Sequence, residues 1–125
     1  MFKNYDKYSE YIKKNHNIIV LFIYSTVHHT YNKKKYNSLL IKYKNTSIEF
    51  LKLELEKYKE VEKDYFLTGI PCFLFFYKGI LIHTINGYNT DVVERYIIEL
   101  TMPVISNLYS KNSVSNVVDG FLQFC

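Results

Sequence analysis

The sequence predicts an α/β fold in which a mixed central sheet is flanked by helices on both faces. Three observations lead to this prediction. The run Ile18–Tyr24 is apolar or aromatic throughout, which is typical of a central strand covered on both faces. A Gly-Ile-Pro turn at residues 69–71 leads directly into a second such run, Cys72–Tyr77. The Lys78-Gly79 pair then predicts a tight hairpin turn, so a right-handed βαβ unit is followed by a hairpin and a helix.

Hydrophobic spacing predicts the remaining elements. Apolar residues three and four positions apart predict helices, and alternating leucines in residues 51–55 predict a strand. The predicted elements are a helix over residues 5–15, a strand over 18–24, a helix over 30–44, a strand over 49–56, a short helix over 57–66, strands over 72–77 and 80–85, and a helix from 90 or 91 to 100.

The length of 125 residues allows one domain, which we place at residues 1–100. Residues 101–125 form a C-terminal extension. Valines and Phe121 recur at helical spacing there, which predicts a helix that packs on the domain or docks on a partner.

The net charge of +4 is unevenly distributed. Residues 31–45 contain five lysines and no acid: Lys33, Lys34, Lys35, Lys42 and Lys44. Such a stripe can meet an acidic partner, RNA or an anionic surface, but a solvated helix face is the simpler interpretation. We therefore do not expect nucleic acid as the partner.

Targeting signals and cysteine frameworks are not predicted. Charges interrupt the first 17 residues, and no apolar run approaches the length of a membrane span. Cys72 and Cys125 form no C-x-x-C, so neither a disulfide framework nor a zinc site is implied. We expect a protein that binds no metal or cofactor. We also expect it in a reducing compartment, which is the cytoplasm, with the nucleus as an alternative.

The chain resembles the thioredoxin family over residues 5–100. In thioredoxins an apolar strand leads into Trp-Cys-Gly-Pro-Cys at the start of a helix, and a Gly-Ile-Pro with a cis-proline comes later. Here the first strand leads into Thr-Val-His-His-Thr at residues 26–30, and Pro71 lies at the family spacing. The resemblance implies a thioredoxin fold with a cis Pro71. The sheet would have four strands, or five if Met1 to Lys3 retains a stub of the first family strand.

The family's redox residues are replaced. Val27 and Thr30 stand where the two reactive cysteines would be, and Leu21 stands where redox-active members bury an aspartate. The resemblance therefore implies a protein that cannot exchange dithiols. His28 and His29 lie between the replaced positions. Because adjacent residues rarely converge on one ion, we expect exposed loop histidines and no metal site.

What the resemblance leaves is a binding face. In thioredoxins the backbone beside the cis-proline holds an extended peptide by strand addition. The resemblance implies that the same face is formed here by Thr26, Val27, His28, His29, Thr30, Ile70, Pro71, Asn86, Gly87 and Tyr88.

Three functions are open. The favoured one is a redox-inactive thioredoxin-like protein that acts as a protein- or peptide-binding module. The second is a single-thiol redox or chaperone-like protein that uses Cys72, with Cys125 to resolve the intermediate. The third is a spliceosomal thioredoxin-like scaffold, although the chain lacks that family's longer insertion after the last strand.

Overall fold

The computed structural model describes residues 2, 4–27 and 32–101. The elements in chain order are α1 (Tyr5–Lys14), β1 (Ile18–Tyr24), α2 (Lys33–Lys42), β2 (Glu49–Glu54), α3 (Glu60–Tyr65), β3 (Cys72–Tyr77), β4 (Ile80–Asn86) and α4 (Thr90–Leu100). Residues 1–90 form one compact unit and residues 91–125 a second. The predicted helix in the extension and the predicted stub strand at residues 1–3 fall outside the described residues, apart from Phe2 and Thr101.

The sheet has the predicted mixed topology. Its strand order is β2-β1-β3-β4. β1 is parallel to β2 and antiparallel to β3, and β3 is antiparallel to β4. With neighbours on both sides, β1 and β3 are the central strands, and their interior residues are buried, as their uniformly apolar sequences predict. The predicted fold class is confirmed.

Helices cover both faces of the sheet in the unit formed by residues 1–90. One face carries α1 and α3, whose Tyr8, Ile12 and Val61 join the main apolar cluster with alternate residues of β1. The opposite face carries α2, where the Tyr36 ring stacks on Phe22 of β1 at a centroid distance of 5.0 Å. Because successive strand residues point to opposite faces, one apolar strand supplies both layers.

The second unit begins with most of α4. The side chains of Val93 and Ile97 are buried, and they lie four residues apart on one face of the helix. Thr101 follows the helix, and its N–H and hydroxyl both donate to the carbonyl of Ile97, at 3.1 and 2.9 Å. These bonds satisfy one of the carbonyl groups that a helix end leaves without a helical partner.

Four elements are shorter than predicted, and the first of them, α1, ends at Lys14, one residue before its predicted end. β2 ends at Glu54, because the chain turns over residues 55–57. α3 runs only from Glu60 to Tyr65, and its C-cap residue, Phe66, takes a left-handed conformation with φ of 51°. α2 begins at Lys33, where a start at residue 30 was predicted, for a reason that lies in the candidate site.

The hairpin between β3 and β4 is as tight as predicted. Lys78 and Gly79 both have positive φ, at 51° and 80°, as in the turns that match the twist of paired strands. A Cβ at Gly79 would lie 3.1 Å from the Cα of Lys13. The turn therefore requires glycine both for its conformation and for the close approach of α1.

Tyr8 closes part of the free edge of β2. Its hydroxyl donates to the Lys52 carbonyl at 2.6 Å, and this group points outward because β1 bonds to the alternate residues of β2. Burial raises the pKa of Tyr8 to about 12, so the hydroxyl keeps its proton at neutral pH.

We expect Tyr8→Phe to destabilise the protein by about 1–2 kcal/mol, because the Lys52 carbonyl loses its partner while the buried ring remains. The measurement is urea unfolding. The matched control is Tyr77→Phe, since Tyr77 is 44% exposed and its hydroxyl has no hydrogen bond among the described residues. Equal unfolding midpoints for the two variants would contradict this assignment.

Candidate functional site

The predicted site is built around a corner of the backbone. The Ile70–Pro71 peptide bond is cis, the isomer that the resemblance implies. The Gly87 N–H donates to the Pro71 carbonyl at 2.7 Å. Gly87 has a φ of +85°, a conformation in which side chains are strained. We call Ile70, Pro71 and Gly87 the proline corner.

Ile70 offers an unused backbone donor and acceptor at this corner. Within the described part of the chain, no hydrogen bond engages its N–H or its carbonyl. The residue is half-buried. Half-buried backbone groups are usually paired within a protein or with water, so a residue with both groups unpaired is a candidate contact for an external backbone.

The end of β1 lies beside the proline corner. Ile23 pairs with Cys72, so the next residues outward, Tyr24 and Pro71, are neighbours where the two strands meet the loops. Val27 follows three residues after Tyr24 and is 68% exposed. The structure therefore brings the loop after β1 and the proline corner to the same end of the sheet.

Carboxylates that sequence reasoning missed hold this loop. The Ser25 hydroxyl donates to the carboxylate of Glu56, and the Thr26 N–H donates to Glu56 Oε1 at 3.2 Å. The Thr26 hydroxyl donates to Glu54 Oε2 at 3.1 Å. Glu54 and Glu56 lie about 30 residues after this loop in the sequence. Only their position at the end of a strand parallel to β1 could have indicated the contact.

Tyr88 connects the proline corner to the first turn of α2. Its hydroxyl accepts the N–H of Tyr36 at 2.8 Å and donates to the carbonyl of Asn32. In an uninterrupted α-helix those two groups would bond to each other. The Tyr88 hydroxyl is therefore inserted into the first helical hydrogen bond, and the Asn32 side chain caps the helix by accepting the Lys34 N–H at 2.9 Å.

This arrangement explains the late start of α2. With Asn32 in an extended conformation as the N-cap, helical geometry begins at Lys33. The prediction of a helix starting at residue 30 was wrong, because the residues that fix the start include Tyr88, 56 residues away along the chain. Tyr88 was predicted as a contact for a partner, and its hydroxyl is used within the chain.

The remaining predicted residues divide into two groups. Asn86 ends β4 opposite Cys72, and its side-chain amide donates to the Thr68 hydroxyl at 3.2 Å. His28, His29 and Thr30 lie outside the described residues. Among the residues that are described, no three His, Cys, Asp or Glu side chains are grouped as a metal site. No helix in the described ranges is long and apolar enough to cross a membrane.

The redox positions that the structure describes are apolar or buried. Leu21 is 1% exposed within the main apolar cluster, and Cys72 is fully buried in the same cluster. Burial raises the pKa of the Cys72 thiol to about 12. At pH 7 only about one molecule in 10⁵ would carry the thiolate, which is the reactive form.

We expect Tyr88→Phe to lower stability by about 1 kcal/mol, since the ring still packs on Phe22 while two hydrogen bonds are lost. Hydrogen exchange at the Tyr36 amide should become faster than in the Tyr77→Phe control. Unchanged exchange at that amide would show that the inserted hydroxyl does not hold the helix start.

We expect Cys72 to resist iodoacetamide in the native protein and to react after unfolding in guanidinium. Its native rate should stay low as the pH rises from about 7 to about 9.5, because a thiol with a pKa near 12 gains little thiolate in absolute terms over that range. Mass spectrometry of the peptides that contain Cys72 and Cys125 separates the two thiols. Rapid native labelling of Cys72 would contradict the buried assignment.

Comparison with known proteins gives one family and many similar structures. The family model for thioredoxin matches residues 1–99. No curated protein matches the chain. Oxidised mitochondrial thioredoxin 3 of Saccharomyces cerevisiae is 23% identical, with a TM-score of 0.67 and coverage of 79% of this chain and 92% of that one.

Two further structures show the same similarity. Thioredoxin f2 of Chlamydomonas reinhardtii is 17% identical with a TM-score of 0.69, covering 80% of this chain and 94% of that one. Oxidised thioredoxin of Plasmodium falciparum is 16% identical with a TM-score of 0.69, covering 81% of this chain and 96% of that one. At these identities the structural likeness shows the fold alone.

Proposed function

The chain belongs to the thioredoxin family, and from this premise we propose that it is a redox-inactive member that binds an extended segment of a partner protein at the proline corner. One observation carries the proposal. Ile70 presents an N–H and a carbonyl that have no hydrogen-bond partner in the described part of the chain. An extended peptide offers the complementary pair of groups and would bind by strand addition.

The surroundings of Ile70 support binding of a backbone. Pro71 has no N–H, and its carbonyl already accepts from Gly87, so Ile70 is the residue of the corner with both groups to offer. Val27 exposes an apolar side chain on the loop at the same end of the sheet. A bound peptide would therefore have backbone contacts to set its direction and an apolar surface for a side chain.

Loss of redox activity follows from the residues at the family's reactive positions. Val27 and Thr30 cannot form a disulfide with a substrate or with each other. Leu21 cannot carry a proton to or from a thiol. These replacements leave the backbone groups of the binding face in place, because backbone hydrogen bonding does not depend on the side chains.

The single-thiol alternative finds less support. It requires Cys72 to attack as a thiolate, and a fully buried thiol with a pKa near 12 is a poor nucleophile. The alkylation experiment above also tests this alternative. No described feature favours the spliceosomal scaffold. A location in the cytoplasm remains a prediction from the sequence.

A display library of random peptides, selected on the immobilised full chain, tests the proposed function. We expect selected peptides, added to ¹⁵N-labelled protein, to shift the amide signals of Ile70 and Gly87 in a saturable way. Ile70→Pro, which removes an N–H without breaking an internal hydrogen bond, should weaken binding by about tenfold. The matched control is Ile82→Ala, an exposed change on β4 about 13 Å along the strand from Asn86.

The wild-type signals keep this test decisive if Ile70→Pro fails to fold. Selected peptides that shift signals elsewhere and leave Ile70 unmoved would contradict the proposed site. A selection without enrichment over the bare support would contradict peptide binding itself.

A further inference from the structure

We infer that the segment bound at the proline corner is acidic and that Lys33, Lys34 and Lys35 recognise its charge. We call these three residues the lysine cluster. The inference rests on the proposed function, because it names the chemistry of the partner at the same site.

Within the described residues, the lysine cluster forms no ion pair. All three residues are exposed. Within the described ranges, the ion pairs join other lysines, Lys7 to Glu10 and Lys57 to Glu54. The first turn of α2 contains no acidic residue, so the lysine cluster is a local concentration of positive charge.

The cluster lies where positive charge is unfavourable for the helix. The first turn of a helix carries the positive end of the helix dipole, so cations there destabilise the helix at low ionic strength. Asn32 caps the helix with a neutral amide. Nothing in the first turn therefore offsets the three charges, and an anionic partner would relieve the repulsion.

The carboxylates that hold the loop after β1 make contacts with other residues. Glu56 accepts from Ser25 and Thr26. Glu54 accepts from Thr26 and lies 3.9 Å from the ammonium group of Lys57. The two carboxylates hold the loop after β1, and within the described residues neither forms an ion pair with the lysine cluster.

Tyr88 fixes the lysine cluster beside the proline corner. Gly87 bonds to the Pro71 carbonyl, and the next residue, Tyr88, bonds to Asn32 and Tyr36 at the start of α2. Lys33 directly follows Asn32, whose carbonyl accepts from the Tyr88 hydroxyl, so the lysine cluster begins one residue from this contact. A peptide paired with Ile70 would run next to this charge.

The same geometry favours an acidic peptide over a nucleic acid. Ile70 presents a donor and an acceptor together, the pair that matches an extended polypeptide backbone. A nucleic-acid backbone presents phosphate oxygens, which accept hydrogen bonds and repel a carbonyl oxygen. The lysine cluster would suit either polymer, whereas the Ile70 pair matches the backbone of a peptide and not the backbone of a nucleic acid.

Fluorescence polarisation with the full chain tests the inference. The probes are two labelled peptides of equal length, one alternating Val and Glu and the other alternating Val and Gln, with labelled oligothymidylate as a third probe. We expect the Glu peptide to bind about tenfold more tightly than the Gln peptide at low salt. That preference should shrink as NaCl rises from about 0.05 M to about 0.5 M.

A charge-matched pair of variants locates the effect. The triple change Lys33→Glu, Lys34→Glu and Lys35→Glu should abolish the preference for the Glu peptide. The control, Lys14→Glu, Lys59→Glu and Lys63→Glu, makes the same change of net charge at exposed positions in α1, at the N-cap of α3 and in α3, and it should keep most of the preference. Circular dichroism checks that both variants fold, and the salt titration of the wild-type chain gives a readout that needs no variant.

Each alternative outcome would overturn the inference about the acidic partner, the proposed function, or both. Equal binding of the two peptides with a shift of the Ile70 amide would overturn the charge inference and leave the proposed function standing. Binding of the Glu peptide without a shift at Ile70 would overturn both, because the lysines would then act apart from the corner. Tighter, lysine-dependent binding of oligothymidylate would identify a nucleic-acid partner and overturn the inference.

Discussion

The hydrogen bond from the Gly87 N–H to the Pro71 carbonyl is the contact on which the candidate site depends. It ties the loop after β4 to the loop before β3, so the next residue, Tyr88, reaches the start of α2 at a fixed position. The same bond uses the only backbone hydrogen-bonding group of Pro71. Of the three residues of the proline corner, Ile70 is the one whose N–H and carbonyl both lack a hydrogen-bond partner within the described residues.

The fold that supports the proline corner is built around one central strand, β1. β1 is apolar on both sides, so it supplies one face to α1 and α3 and the other to α2. Leu21 and Cys72 belong to the same apolar cluster. Burial in this cluster gives the Cys72 side chain a packing role and holds its thiol away from solvent.

The sequence predicted most of this fold and only part of the site. β1 and β3 were predicted with their observed bounds, because uniformly apolar runs have sharp ends. The start of α2 was missed, because Tyr88 fixes it through a contact that is remote in sequence, and one tyrosine among thirteen carries no distinguishing signal. Glu54 and Glu56 were missed for the same reason. Patterns along the chain specify elements, whereas side-chain hydrogen bonds between elements depend on the assembled geometry.

The hydrogen bond from Tyr8 to the Lys52 carbonyl affects how readily copies of this protein associate through their sheet edges. An open strand edge is a template for unwanted pairing between molecules, and natural proteins commonly block such edges. By occupying the outward carbonyl of Lys52, the phenol removes one rung from the ladder that an incoming strand would need. Pairing of a second molecule along the β2 edge is thereby disfavoured at this position.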